Sequence, residues 1–199
     1  MRGFLYDAIM AQLVFIHGGD SFESREAYLN DLRTRDIDPF KEKEERWHRN
    51  FPETLGETWE IIRPSMPGEN CDYEEWSIWF ERHIPFMKDG VVLVGHSLGA
   101  NFLVAYLSKH TLPVGIRQLH LVGGCAGTGT FPFPEDGSHI ENQAKQIFLY
   151  HSTDDPVVPY TDALKYKELL PSATLSTFED RGHFLQAEFP ELIERITHA

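Results

Sequence analysis

The sequence predicts an α/β fold: a mostly parallel central sheet of about six strands with helices on both faces. Two observations carry this. Six short β-rich runs recur along the chain, QLVFIHG, WEIIRP, VVLVGHS, RQLHLVGG, QIFLYHS and ATLSTFED, and several are apolar at consecutive positions, as strands covered on both faces are. Between them lie segments that read as helices: from Ser24 onward, 73–84, 98–108, 161–170, and from Glu188 to the end. Strands alternating with helices imply parallel pairing, because a parallel strand needs a crossover connection.

Taken in order, Met10 immediately precedes the first strand run, so residues 1–9 read as an N-terminal extension and 10–199 as a single domain. The stretch 22–57 is the least regular part of the chain. Its KEKEER run mixes charge signs at helical spacing, the mark of a solvated helix face. In 73–84, Trp76, Trp79 and Phe80 recur at helical spacing and read as core, with a substrate channel as the alternative. No repeat, low-complexity tract or Pro/Ser-rich linker divides the chain.

Composition narrows the function. With 31 acidic against 18 basic residues, the formal net charge is −13, which repels nucleic acid and anionic membrane surfaces. No apolar run approaches the roughly 20 residues of a membrane span, and MRGFLYDAIM carries Asp7 where a signal peptide would be apolar. Cys71 and Cys125 form no disulfide framework and no zinc-type spacing. A cytoplasmic, soluble protein is expected.

In parallel sheets the ligand crevice lies beyond the carboxyl ends of the strands, so residues just after strands matter most. The segment VVLVGHSLGANFLVAYL holds G-x-S-x-G at Gly95, Ser97 and Gly99, between a strand and a helical run. That context suits a sharp turn that projects a nucleophilic serine, with the helix N-terminus favouring negative charge beside it. The N–H of Leu98 is then an oxyanion donor. The pentapeptide alone should arise by chance in about one chain of this length in fifteen, so partners are required: a histidine to take the serine proton and a carboxylate to orient it. After QIFLY comes HSTDDPVVP, with Asp154 and Asp155; after ATLSTFED comes RGHF, with His183. The order Ser, Asp, His is the one this arrangement expects.

GHSLG, DDPVVP and RGHF, with HGG after the first strand, resemble the α/β-hydrolase superfamily over residues 12–198. The short length, the STDDP loop and the terminal GHF are similar to small serine hydrolases of the retinoblastoma-binding-protein and YdeN type. The resemblance implies that Ser97 attacks an acyl carbonyl, His183 moves the proton, and Asp155, which fits the family's D-x-x-V-P pattern, holds the imidazole; Asp154 is left as a turn cap. It also implies a second oxyanion donor in the HGG loop, assigned to Gly19. Only about 20 residues separate LHLVGG from QIFLY, so no large lid is expected, while the length and charge of 22–57 allow an altered order of early elements.

The other candidates have plainer readings beside them. His96, inside the turn, reads as structural. Cys125 reads as a packed thiol. Phe131 and Phe133, in a Pro-rich loop, are assigned to substrate contact, since exposed loop aromatics commonly shape apolar pockets. The expected function is hydrolysis of a small carboxylic ester or related acyl compound, without metal or organic cofactor. The alternatives are a protein-binding member of the fold, or thioester, amide or carbon–carbon cleavage by the same residues.

Overall fold

A computed structural model describes residues 10–20, 22, 24–40, 44–67, 72–127 and 131–198. The expected extension 1–9 and Cys71 lie outside the described residues. Each apolar run becomes a strand: β1 (Ala11–Ile16), β2 (Trp59–Ile62), β3 (Val91–His96), β4 (Ile116–Val122), β5 (Ala144–Ser152) and β6 (Thr174–Phe178). They form one sheet in the order β2-β1-β3-β4-β5-β6, and every pairing is parallel. The α/β class expected from the alternation is therefore the class observed.

Successive side chains of a strand point to opposite faces, and the core divides accordingly. Val14, Ile16, Leu93, Leu119 and Leu149 belong to one buried cluster. Leu13, Phe15, Val92, Val94 and Tyr150 belong to the other. The first face is covered by α3 (Tyr73–Glu81), α4 (Leu98–Leu107) and α6 (Tyr160–Leu169). The second is covered by α7 (Pro190–Thr197) together with a 3-10 turn, Trp47–Arg49, and the short helix α2 (Phe51–Leu55). A further short helix, α5 (Ser138–Glu141), buries Ile140 in the first cluster.

The irregular stretch thus splits in two. Trp47, Phe51 and Leu55 are core residues, whereas α1 (Arg25–Thr34) buries none of its side chains. Ser24 starts α1 by accepting a hydrogen bond from the Ala27 N–H at 3.1 Å. Of the KEKEER run, residues 44–46 are not helical and 41–43 lie outside the described residues. The mixed charges there lack a buried apolar stripe that would hold a helix face against the core.

β1 is followed in the chain by β2 on one side of it and then by β3 on the other. The direction of winding therefore reverses between β1 and β3. A doubly wound sheet opens a crevice at the carboxyl ends of such a strand pair. Both HGG, leaving β1, and GHSLG, leaving β3, open into it.

Candidate active site

Ser97 sits at the turn between β3 and α4 with φ 54° and ψ −121°, a conformation that costs a non-glycine residue on the order of 1–3 kcal/mol. Its neighbours explain why the chain can bend so tightly. A Cβ on Gly99 would lie 2.2 Å from the Ile16 carbonyl oxygen, and one on Gly95 would lie 2.7 Å from Ala100 Cα. Both glycines are needed for close approach of backbone to backbone. All ten residues of α4 are buried, so the helix is fixed by packing. Ser97 is its N-cap, yet its side chain caps nothing; the hydroxyl is turned elsewhere.

It turns to His183. The imidazole Nε2 lies 2.9 Å from Ser97 Oγ, and Nδ1 lies 2.8 Å from Asp155 Oδ2. With Nδ1–H donating to the carboxylate, Nε2 is left as acceptor for the serine proton. Asp155 follows β5 and its side chain is fully buried. Its other oxygen accepts the N–H groups of Val157 at 2.8 Å and Val158 at 2.9 Å. Burial pushes this carboxyl up, but the hydrogen bonds from His183, Val158 and Val157 outweigh it and hold the group below the usual carboxylate range. A carboxylate that stays ionised is what an orienting partner requires.

Asp154 has a different place. Its Oδ1 accepts from Ser152 Oγ and from the Gly182 N–H, the latter at 2.9 Å. It ties the loop after β5 to the residue preceding His183. On the other side of that residue, Phe184 is also at φ 54°, and its carbonyl accepts the Trp47 indole N–H at 2.8 Å.

Ser97 opens into a cleft of about 720 Å³. Gly18 and Gly19 line it, and a Cβ on Gly18 would fall 3.0 Å from Ser97 Cβ, so the HGG loop lies against the serine. Met66 N–H donates to His17 Nε2 at 3.0 Å, which leaves Nδ1–H to donate to the Gly18 carbonyl. In a trans peptide the Gly19 N–H points opposite to that carbonyl, away from His17. Leu98, as the first residue of α4, has an N–H with no partner inside the helix.

Several residues differ from expectation. Phe131 is wholly buried against Trp76 and Phe102, and Phe133 packs on Tyr166 with ring centroids 5.0 Å apart. Neither lines the cleft; the Pro-rich loop turns its aromatics inward, where burial is more favourable than exposure. Trp76 and Phe80 are core as expected, but Trp79 is 38% exposed on the outer side of α3. His96 lies at the cleft floor, where its Nε2–H donates to the His183 carbonyl at 2.9 Å. Burial lowers its pKa to about 3, so it is neutral. Burial likewise pushes the Cys125 thiol up to about 11, which leaves it un-ionised and unreactive. Sequence reasoning missed His48, Arg49 and Arg63, which also line the cleft. Arg63 directly follows β2, where the strand-end rule could have found it; His48 and Arg49 come from a turn with no such signal. Among the described residues, no group of three or more His, Cys, Asp or Glu is placed to hold a metal ion.

A family model described as serine hydrolase matches residues 40–193, a span that includes Ser97, Asp155 and His183. The chain belongs to the serine hydrolase family. Over 135 residues it is 31% identical to serine hydrolase RBBP9 of Rattus norvegicus, covering 60% of this chain and 68% of that one. The ydeN gene product of B. subtilis superposes with a TM-score of 0.73 at 20% identity, over 94% of this chain and 97% of that one. Est1E from Butyrivibrio proteoclasticus does so with a TM-score of 0.60 at 15% identity, over 97% and 88%. At such identities the structural likeness speaks for the fold. The resemblance drawn from GHSLG, DDPVVP and RGHF thus holds for family and fold alike, and the protein is a hydrolase.

Proposed function

We propose that this serine hydrolase cleaves a small carboxylic ester or related acyl compound through an acyl-Ser97 intermediate. The observation that carries this is the unbroken hydrogen-bonded chain from Asp155 through His183 to Ser97, with both links under 3 Å. Ser97 Oγ attacks the acyl carbonyl carbon as its proton passes to His183 Nε2, and Asp155 stabilises the imidazolium that forms. The oxyanion is received by the N–H groups of Leu98 and Gly19, with the positive end of α4 adding to the field. His183 returns the proton to the leaving group. It then takes a proton from a water molecule as that water attacks the acyl carbon, and returns it to Ser97 Oγ as the acyl–Oγ bond breaks and the acid leaves. No step calls for a metal, an organic cofactor or a macromolecular partner, and two cysteines without a disulfide framework suit a reducing cytoplasm.

Intact mass after treatment with a fluorophosphonate probe tests this reading, with wild type and Ser97→Ala run in parallel. The expected result is a single adduct on wild type that is absent from the variant. A folded wild-type protein that takes no adduct would favour a binding role instead.

A further inference from the structure

We infer that the substrate carries an anionic group, which Arg49 and Arg63 receive at the rim of the Ser97 cleft. The inference rests on the serine-hydrolase reading above and specifies the substrate class of the same site. Both arginines are exposed and line the cleft with Ser97 and His183. Arg63 Nη1 donates to the carbonyls of His48 at 3.0 Å and Arg49 at 3.3 Å, and Arg49 Nη1 donates to the Glu44 carbonyl at 2.8 Å. These bonds hold each guanidinium in place through one terminal nitrogen. Among the described residues, neither meets a carboxylate, and their remaining donors find no protein acceptor.

Among the described residues, the rest of the cleft lining adds little compensating charge. Asp20, the one exposed carboxylate among the described lining residues, is held by Arg35 at 2.7 Å. Asp155 is buried beneath His183. His48 is neutral at physiological pH, pushed down to about 4 by burial first and by Arg49 and Arg63 next. A protein of net charge −13 therefore presents a locally cationic rim around its nucleophile. Such a rim attracts an anionic compound that the molecule as a whole repels. A carboxylate is the smallest group that a guanidinium fork can bind through two parallel hydrogen bonds. Val157, at 63% exposure, and Leu185, at 46%, sit on the loops that carry Asp155 and His183 and line the same cleft. They offer apolar contact to the remainder of the substrate.

Two pairs of isosteric esters test the inference. Mono-4-nitrophenyl adipate against its monoamide places the charge on the acyl side; 4-carboxyphenyl acetate against 4-carbamoylphenyl acetate places it on the leaving group. At low ionic strength, kcat/KM for the anion should exceed that for its neutral isostere by about ten-fold in at least one pair. The excess should shrink as salt is added. In Arg49→Gln/Arg63→Gln the anion-to-neutral ratio should fall to near one, and in Arg63→Glu below one; a ratio within one protein is insensitive to how much of it is folded. A ratio near one in wild type for both pairs, or a ratio unchanged in the variants, overturns the inference while Ser97 still labels with fluorophosphonate. No turnover of any ester together with no Ser97 adduct overturns the serine-hydrolase reading and this inference with it.

Discussion

At Ser97 two local penalties coincide. The residue holds a positive φ and gives up the N-cap bond that its hydroxyl could make, which forgoes about 1 kcal/mol of helix stability. Both follow from aiming Oγ at His183 rather than at the backbone of α4. The two adjacent aspartates divide the support of that histidine, and they can be told apart by kinetics. Asp155→Asn removes the charge that faces Nδ1, and kcat should fall by roughly 10⁴-fold. Asp154→Asn keeps an oxygen for the Gly182 N–H and should cost less than about 100-fold, because loop position is loosened while the tautomer is kept. Equal losses in the two variants would contradict this division. Ser97, Asp155 and His183 were legible in the sequence as candidates because each lies in a short polar motif in the loop or turn that follows a β-rich run. Phe131 was not, since a Pro-rich loop carries no periodicity to show which way its rings face, and only packing against Trp76 and Phe102 decides it.

Among the elements, the 3-10 turn Trp47–Arg49 ties the segment before β2 to the loop after β6 and the start of α7. Trp47 reaches across to Phe184 and packs on Phe189, with ring centroids 5.6 Å apart. It thereby braces the loop that carries His183. Trp47→Phe keeps most of the ring volume but leaves the Phe184 carbonyl without its partner. It should lower stability by about 1–3 kcal/mol, read as a shift in urea midpoint, and reduce kcat more than it changes KM. A kcat equal to wild type would show that the loop needs no brace. Gly99→Ala tests the elbow in the same way. With a Cβ 2.2 Å from the Ile16 carbonyl, it should prevent native packing of α4 on β1, seen as a loss of soluble folded protein. The six strands were visible as β-rich runs, several of them apolar at consecutive positions. The bracing role of Trp47 was hidden, because a single buried tryptophan in a charge-rich stretch gives no repeating pattern.

For the molecule as a whole, buried histidines set the response to acid. His96 and His120 are wholly or almost wholly inaccessible, and burial lowers both pKa values to about 3. An unfolded histidine titrates near 6.5, so between these values the unfolded chain binds more protons than the folded one. Stability from these two groups is fully present above about pH 6.5 and falls as the pH drops toward 3, at on the order of 1 kcal/mol per pH unit for each. Asp155 adds to the same trend only below the usual carboxylate range, where protonation cancels its hydrogen-bonded advantage. Urea midpoints measured from pH 7 to pH 4 should therefore decline, and His120→Gln should flatten the decline. An unaltered slope in that variant would rule out His120 as a source. At this scale the parallel character of the sheet could be read from strand–helix alternation. The order β2-β1-β3-β4-β5-β6 could not, because which strands become neighbours depends on contacts far apart in sequence.

The spacing of the site residues within that order has one more consequence. Ser97 and His183 are separated by 86 positions, and His183 and Asp155 by 28; each follows a different strand of a sheet whose parallel neighbours are joined only by crossovers. No single hairpin or helix pair can assemble them, and contacts of such long range form late and slowly. Turnover is thus a property of the finished molecule. A chain folded only as far as β5 would hold Ser97 and Asp155 but not His183, which reaches them only when the loop after β6 packs against Trp47.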